Sequence, residues 1–244
     1  MRRVLGFALL LAACGGSGGG GGTDGGGDPA DGPIVVDGVA APALALTGSC
    51  LAHNPNNQAT GNAFRVDCTV QLTRGGAPVE LAQVRINPAP PGLQTQLLAN
   101  GTPGEYDGYY LAYGGSARIS ASQGDDAIAE TPFPGPRVFQ VTQPEGGAIV
   151  AADAPVQVTW SEESDVPVVR IRTGSGFVSE LLSDDGSEQL PAGSIVGADV
   201  LSVTKWTTTS LGAAAVAGSK MDFGLEVTRD VYLEGTPLPD AALP

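Results

Sequence analysis

Residues 64–73 carry the clearest alternation of apolar and polar side chains in the chain. The apolar positions are Phe64, Val66, Cys68, Val70 and Leu72. Successive side chains of a β-strand point to opposite faces of a sheet, so this period of two predicts a strand with one buried and one solvent-facing side. Gly75-Gly76 ends the predicted strand, because glycine adopts turn conformations without steric cost.

The same alternation recurs in four further stretches of the chain. Its apolar positions are Ala82, Val84 and Ile86, then Val156, Val158 and Trp160, then Val169 and Ile171, and finally Met221, Phe223, Leu225 and Val227. Glycine-containing turn signals separate the predicted strands at intervals of roughly 8–12 residues, which is typical of sandwiches and barrels. We therefore expect an all-β protein of two tandem β-sandwich domains.

A proline cluster, Pro132–Pro136, marks the expected boundary between the two domains. Proline lacks the backbone N–H of a central strand and breaks helices, so three prolines within five residues favour a linker. The predicted domains cover residues 34–134 and 135–236, and the proline-rich residues 237–244 are expected to form a frayed tail.

The N-terminus has the form of an export signal. Two arginines precede a short apolar run that ends in small residues, and this run is far shorter than the roughly 20 residues that span a bilayer. The segment Leu11-Ala12-Ala13-Cys14 resembles the lipobox of bacterial lipoproteins. That resemblance implies removal of residues 1–13 as a signal peptide and lipidation of Cys14. Gly15 after the cysteine implies an outer-membrane or cell-surface location rather than retention in the inner membrane.

Residues 14–33 combine the cysteine with a run rich in glycine and without any large apolar side chain. Such a segment buries too little apolar surface to offset the entropy lost on ordering, so we expect a flexible tether. A tether of this length has a root-mean-square span of about 25 Å. It would hold the folded part clear of the lipid head groups.

Composition narrows the function classes. The chain of 244 residues has a net charge of −14, which disfavours nucleic acid as a partner. His53 is the only histidine, which disfavours a Ser-His-Asp catalytic triad and a zinc site with several histidine ligands. Calcium could take oxygen ligands from Asp125-Asp126 and Asp184-Asp185. Asp next to Gly is, however, also common in turns that bind no metal. We expect no catalytic residue, no metal site and no cofactor.

The remaining cysteines, Cys50 and Cys68, are expected to form a disulfide. Cys50 is separated from Leu44 and Leu46 by an even number of residues, so all three lie on the same face of a strand. Cys68 lies on the apolar face of its own strand. Both should therefore face inward. An isolated pair in an exported domain is more often bonded than free.

Two local patterns carry resemblances to known modules. The first pattern resembles the carboxypeptidase-regulatory-like, or transthyretin-like, module, and it consists of Gly76-Ala77-Pro78-Val79 and Pro103-Gly104-Glu105-Tyr106. The chain departs from this module at Leu81, where the module usually has glycine. The second pattern resembles immunoglobulin-like and fibronectin-III-like bacterial modules, and it consists of Pro144-Glu145-Gly146-Gly147 followed by Val156–Trp160. These resemblances imply binding, spacing or structural roles and transfer no catalytic residue.

Four of the five tyrosines lie between positions 106 and 113. Tyr106 matches the structural tyrosine of the regulatory-like module. Tyr109, Tyr110 and Tyr113 form a candidate binding patch, because exposed aromatic rings offer large contact areas with a polar tip. Tyr110 is expected to face outward, since it shares its face with the small Ala112. Alternatively, these rings fill the sandwich core.

The expected function is that of a membrane-anchored envelope lipoprotein serving binding, adhesion or structure without catalysis. Its partners would be the membrane, through the lipid anchor, and a glycan or an envelope protein. One alternative is a carboxylate-dependent hydrolase of cell-wall or polysaccharide material. Another alternative is an accessory subunit of an envelope complex.

Overall fold

A computed structural model describes residues 43–54, 64–88, 94–161 and 168–238. Fifteen strands and one three-residue 3-10 helix make up the regular structure of these residues, so the all-β expectation is confirmed. No helix in the described part of the chain is long and apolar enough to cross a membrane. The predicted signal peptide, Cys14, the tether and the last residues of the predicted tail lie outside the described residues.

Eight strands lie in the first half of the chain, and the apolar alternations at residues 64–73 and 82–86 fall within or beside two of them. Their bounds are β1 Leu44–His53, β2 Arg65–Arg74, β3 Ala77–Pro78, β4 Gln83–Pro88, β5 Thr95–Ala99, β6 Glu105–Leu111, β7 Ser116–Gln123 and β8 Asp126–Pro134. β2 ends at Arg74 because Gly75 and Gly76 both take positive φ.

Seven strands lie in the second half, and a 3-10 helix at Gly212–Ala214 separates the last two. Their bounds are β9 Val141–Gln143, β10 Ala148–Val150, β11 Val156–Trp160, β12 Val168–Thr173, β13 Ser187–Leu190, β14 Ala198–Ser210 and β15 Lys220–Leu233.

The described strands form one long curled sheet and one small sheet. The long sheet runs in the order β12-β14-β15-β1-β2-β6-β5-β4-β7-β8, with β10 beside β15 and β3 beside β2. The small sheet has the order β13-β11-β9. β1 pairs antiparallel with β2 and parallel with β15, so strands from the two halves of the chain share one sheet.

The proline cluster lies at the end of β8, which includes Pro132 and Pro134. β8 pairs with β7 at one end of the strand order, where proline is tolerated because fewer backbone donors are needed. All described residues belong to one compact unit. A division into domains at residues 134/135 stays a prediction, and the pairing of β1 with β15 crosses that boundary.

An aromatic cluster joins residues from both halves of the chain. Phe223 of β15 is buried, with its ring centre 5.3 Å from that of Tyr113 and 5.4 Å from that of Phe133. Phe64 also packs against Tyr113, at 5.9 Å between ring centres. The core is therefore continuous between β8, β15 and the residues flanking β2.

The β3–β4 region is held by Tyr106, as expected for a structural tyrosine. Its hydroxyl donates to the carbonyl of Val79 at 2.8 Å and accepts from the N–H of Ala82 at 2.9 Å. Between these two residues, Leu81 adopts a φ of +60°, a conformation that favours glycine. This is the position at which the sequence departs from the regulatory-like module.

Candidate functional site

A disulfide joins β1 to β2. Cys50 and Cys68 lie directly opposite each other in the antiparallel register, and their sulfur atoms are bonded. Both residues are buried among the inward-facing side chains of the two strands, so the predicted pairing is confirmed. The bond closes a loop with a sequence separation of 18, worth about 3 kcal/mol by loop entropy. It fixes the part of the sheet described next.

The tyrosine segment does not form the patch that the sequence suggested. Tyr109 is 55% exposed, whereas Tyr110 and Tyr113 are 5% and 6% exposed. The expected outward orientation of Tyr110 is therefore wrong. Tyr110 faces inward because it shares its side of β6 with the buried Tyr106 and lies opposite the buried Val66. Ala112, just after β6, takes a φ of +73° and breaks the alternation, so that Tyr113 also turns inward.

The solvent-facing side of the long sheet contains an unbroken row of residues across five strands. The register places them opposite one another on β14, β15, β1, β2 and β6. This aromatic row consists of Trp206, Gly224, Leu51, Asp67 and Tyr109. Neighbouring strands lie about 4.8 Å apart, so its two aromatic ends are separated by about 19 Å.

A polar network holds Tyr109 at one end of the aromatic row. The guanidinium of Arg65 lies over the Tyr109 ring, 4.3 Å from its centre. Arg65 also donates to the carboxylate of Asp67 at 2.8 Å, and Asp67 in turn lies 3.4 Å from Nε2 of His53. His53 is the last residue of β1, and its side chain belongs to this face. The network orients an exposed ring without covering it.

Trp206 forms the other end of the aromatic row, and it was not among the predicted site residues. Gly224 lies beside it on β15, and a Cβ atom at that position would come within 2.8 Å of the Trp206 ring and 2.9 Å of the Leu51 side chain. The missing side chain thus lets the indole lie across the neighbouring strand. Trp206 remains half-buried rather than fully covered. A tryptophan in the polar stretch Lys205–Ser210 was the available signal.

A shallow groove of about 290 Å³ lies next to the aromatic row on the same face of the sheet. Hydroxyl, amide and charged side chains line it, together with the backbone of one glycine. The lining residues are Thr47, Gly48, Ser49, Thr69, Gln71, Glu105, Lys220 and Asp222. Thr208 donates to the Asp222 carboxylate at 2.6 Å. Rows two residues apart along a strand are separated by about 7 Å, so one ligand can contact both the groove and the aromatic row. We call the two together the sheet-face site.

The acidic pairs considered for calcium have other partners. Asp126 forms an ion pair with Arg74, and Asp184 forms one with Lys205. Among the described residues, no group of three His, Cys, Asp or Glu side chains is placed to hold a metal ion. The segment Ser183-Asp184-Asp185-Gly186 lies just before β13. Leu182 bridges to β12 in the long sheet and β13 pairs with β11 in the small sheet, so this segment crosses between sheets.

No protein-family model and no curated protein matches the chain. Among solved structures, it is similar to one described as a "tetra-tandem repeat in extending region of large adhesion protein", at 16% sequence identity and a TM-score of 0.19. The match covers 75% of this chain and 49% of the other, so the chain spans about half the length of that neighbour.

Proposed function

We propose that this protein is a lipid-anchored module of the bacterial cell envelope that binds a neutral glycan through the sheet-face site. The observation that carries the proposal is the aromatic row beside a hydroxyl-rich groove. Aromatic rings stack on the apolar faces of sugars, and hydroxyl and carboxylate groups satisfy the hydroxyls at the sugar edges. The site offers both kinds of contact on one open surface.

The electrostatics of the chain favour an uncharged ligand. A net charge of −14 repels polyanions at long range. Within the site, Arg65 is already engaged by Asp67, and the groove-lining Lys220 lies 3.9 Å from the carboxylate of Asp222. A neutral polysaccharide can donate hydrogen bonds to these carboxylates without the cost of bringing like charges together.

The length of the site also favours an extended ligand. The aromatic row and the groove run across several strands on an open face rather than into a cavity, so a chain of sugars can lie along them. Leu111 and Leu98 extend the exposed apolar surface near Tyr109, and both are exposed. A protein partner would use the same surface, and the experiment below distinguishes the two.

We expect Trp206→Ala and Tyr109→Ala each to weaken glycan binding by about 1–2 kcal/mol, or roughly 5- to 30-fold in Kd. Co-sedimentation with insoluble neutral polysaccharides and with peptidoglycan sacculi measures the binding. Tyr109→Ala should leave thermal stability nearly unchanged, because its ring is exposed.

Leu181→Ala is the matched control, since Leu181 is exposed but lies on the connection between β12 and β13. It should bind as the unmodified chain does. If the Trp206 and Tyr109 variants bound the polysaccharide as tightly as the unmodified protein, the proposed site would be wrong. If the protein bound envelope proteins and not polysaccharide, the ligand of the sheet-face site would be a protein and not a glycan.

Membrane attachment through Cys14 is a separate part of the proposal, supported by the lipobox resemblance. We expect Cys14→Ser to abolish incorporation of a fatty-acid probe and to release the protein from the membrane fraction or block removal of residues 1–13. Metabolic labelling followed by fractionation measures both. Unchanged labelling and membrane partition would contradict the anchor while leaving the sheet-face site untouched.

A further inference from the structure

A fully buried lysine lies in the interior between the two sheets of the second half. Lys205 of β14 has a side chain that is 0% exposed. Its Nζ donates to Oδ2 of Asp184 at 2.6 Å and to the carbonyl oxygen of Ser161 at 2.7 Å. The ring centre of Phe139 lies 4.8 Å from the same nitrogen. An amine is thus held at hydrogen-bond distance from a carboxyl group with water excluded.

The carboxyl group of Asp184 is held from its other side. Its side chain is 2% exposed, and Oδ1 accepts a hydrogen bond from the indole Nε1 of Trp160 at 2.6 Å. Both oxygens of the Asp184 carboxyl group are therefore fixed, Oδ1 by the N–H of Trp160 and Oδ2 by Nζ of Lys205.

We propose that Lys205 and Asp184 condense to an intramolecular amide, an isopeptide bond between Nζ and Cγ. One Nζ proton passes to Oδ2 along the 2.6 Å hydrogen bond. The nitrogen lone pair then attacks Cγ, and the Trp160 N–H stabilises the negative charge that develops on Oδ1. The bond between Cγ and Oδ2 breaks, and Oδ2 leaves as water with a second Nζ proton. The third proton stays on the amide nitrogen, so the reaction needs no oxidant, cofactor or other reactant.

The arrangement supplies the two conditions that such a condensation needs. Fixed proximity replaces a bimolecular encounter, and oriented groups within one molecule react with very high effective molarity. Exclusion of water opposes the reverse hydrolysis. The Ser161 carbonyl, by accepting a hydrogen bond from Nζ, fixes the position of the nitrogen beside the carboxyl group.

The bond would link the two sheets covalently. Lys205 belongs to β14 of the long sheet, whereas Asp184 lies just before β13 of the small sheet. The sequence separation of 21 defines a closed ring, which restricts the unfolded chain as a disulfide does. Unlike a disulfide, this cross-link withstands reducing agents. The inference does not depend on the sheet-face site.

Tryptic peptide mapping of the reduced, denatured full-length protein tests the proposal. Trypsin cuts after Arg172, Lys205 and Lys220, but an amide on Nζ blocks the cut after Lys205. We expect a single peptide of residues 173–220 whose mass is one water below that of the linear sequence. Separate peptides 173–205 and 206–220 at full mass would overturn the proposal and leave an ordinary buried ion pair.

Lys205→Arg is the control, because arginine keeps the positive charge and the tryptic site but does not condense with Asp184. This variant should release peptide 173–205 at full mass. Asp185 beside Gly186 can also lose water, by cyclising on its own backbone, but that product leaves the cut after Lys205 intact. Loss of water together with normal cleavage after Lys205 would therefore count against the cross-link.

Discussion

Replacing Tyr110 by alanine is expected to lower the free energy of unfolding by about 3–5 kcal/mol. The ring is 5% exposed and faces the interior from β6, where Tyr110 lies opposite Val66. Emptying such a site removes the transfer free energy of the ring and leaves a cavity that neighbouring strands fill incompletely. Urea denaturation of the two proteins measures the difference. A loss below about 0.5 kcal/mol, as expected for Tyr109→Ala, would contradict the burial of Tyr110.

Tyr110→Phe separates the ring from its hydroxyl. The Tyr110 hydroxyl is buried and has no hydrogen-bond partner among the described residues. Removing an unpaired buried polar group is expected to raise the free energy of unfolding by about 1 kcal/mol. Destabilisation by Tyr110→Phe would show that the hydroxyl is satisfied, and would thus argue against this packing of β6.

The same pair of proteins has a predictable pH dependence. Burial raises the pKa of the Tyr110 hydroxyl above its ordinary value of 10.0. Above pH 10 the unfolded chain therefore loses this proton while the folded chain keeps it, and the stability contributed by Tyr110 falls as pH rises. The slope is about 1.4 kcal/mol per pH unit. We expect the advantage of Tyr110→Phe over the unmodified protein to widen above pH 10 and to stay constant between pH 7 and 9.

Phe223→Ala is expected to lower the free energy of unfolding by about 3–5 kcal/mol and to destabilise both halves of the chain. Phe223 belongs to β15, yet its ring contacts Tyr113 and Phe133 from the first half. A Cβ added at Gly135 would lie 2.9 Å from the same ring, which shows how closely the chain passes it. Removing the ring leaves a cavity bounded by both halves.

Hydrogen exchange resolved along the chain measures the effect on each half. We expect protection to fall in β2 and β7 as well as in β14 and β15, with Leu181→Ala as an exposed control that changes neither. Unchanged protection in β2 and β7 would instead support separate unfolding of residues 34–134. The experiment thus tests the predicted division at 134/135 directly.

Much of the local structure could be predicted from the sequence, because side-chain alternation along a strand is a local property. The period of two at residues 64–73 corresponds to β2, and Val156–Trp160 is β11 as the pattern indicated. The disulfide was predictable for a related reason. Cys50 and Cys68 each share parity with apolar neighbours, so both had to face the same interior.

Prediction of the candidate site failed at Tyr110 because the small Ala112 suggested an outward face. Within β6, Tyr110 lies on the same side as the buried Tyr106 and opposite the buried Val66, so the regular alternation itself turns it inward. A continued alternation would place Tyr113 beside the exposed Tyr109, but the positive φ of Ala112 reverses the alternation after β6 and turns Tyr113 inward. No local pattern of side chains marks a non-glycine residue for that conformation.

The all-β class, the positions of the main strands and the inward orientation of the two cysteines follow from the amino-acid sequence, since each depends on neighbours along the chain. The pairing of β1 with β15, the shared row of Trp206 and Tyr109, and the burial of Lys205 beside Asp184 follow only from the folded arrangement of the strands. These features depend on which strands are adjacent and what covers each face. Contacts between residues far apart in sequence set both, and the period of a single strand carries no information about its partner.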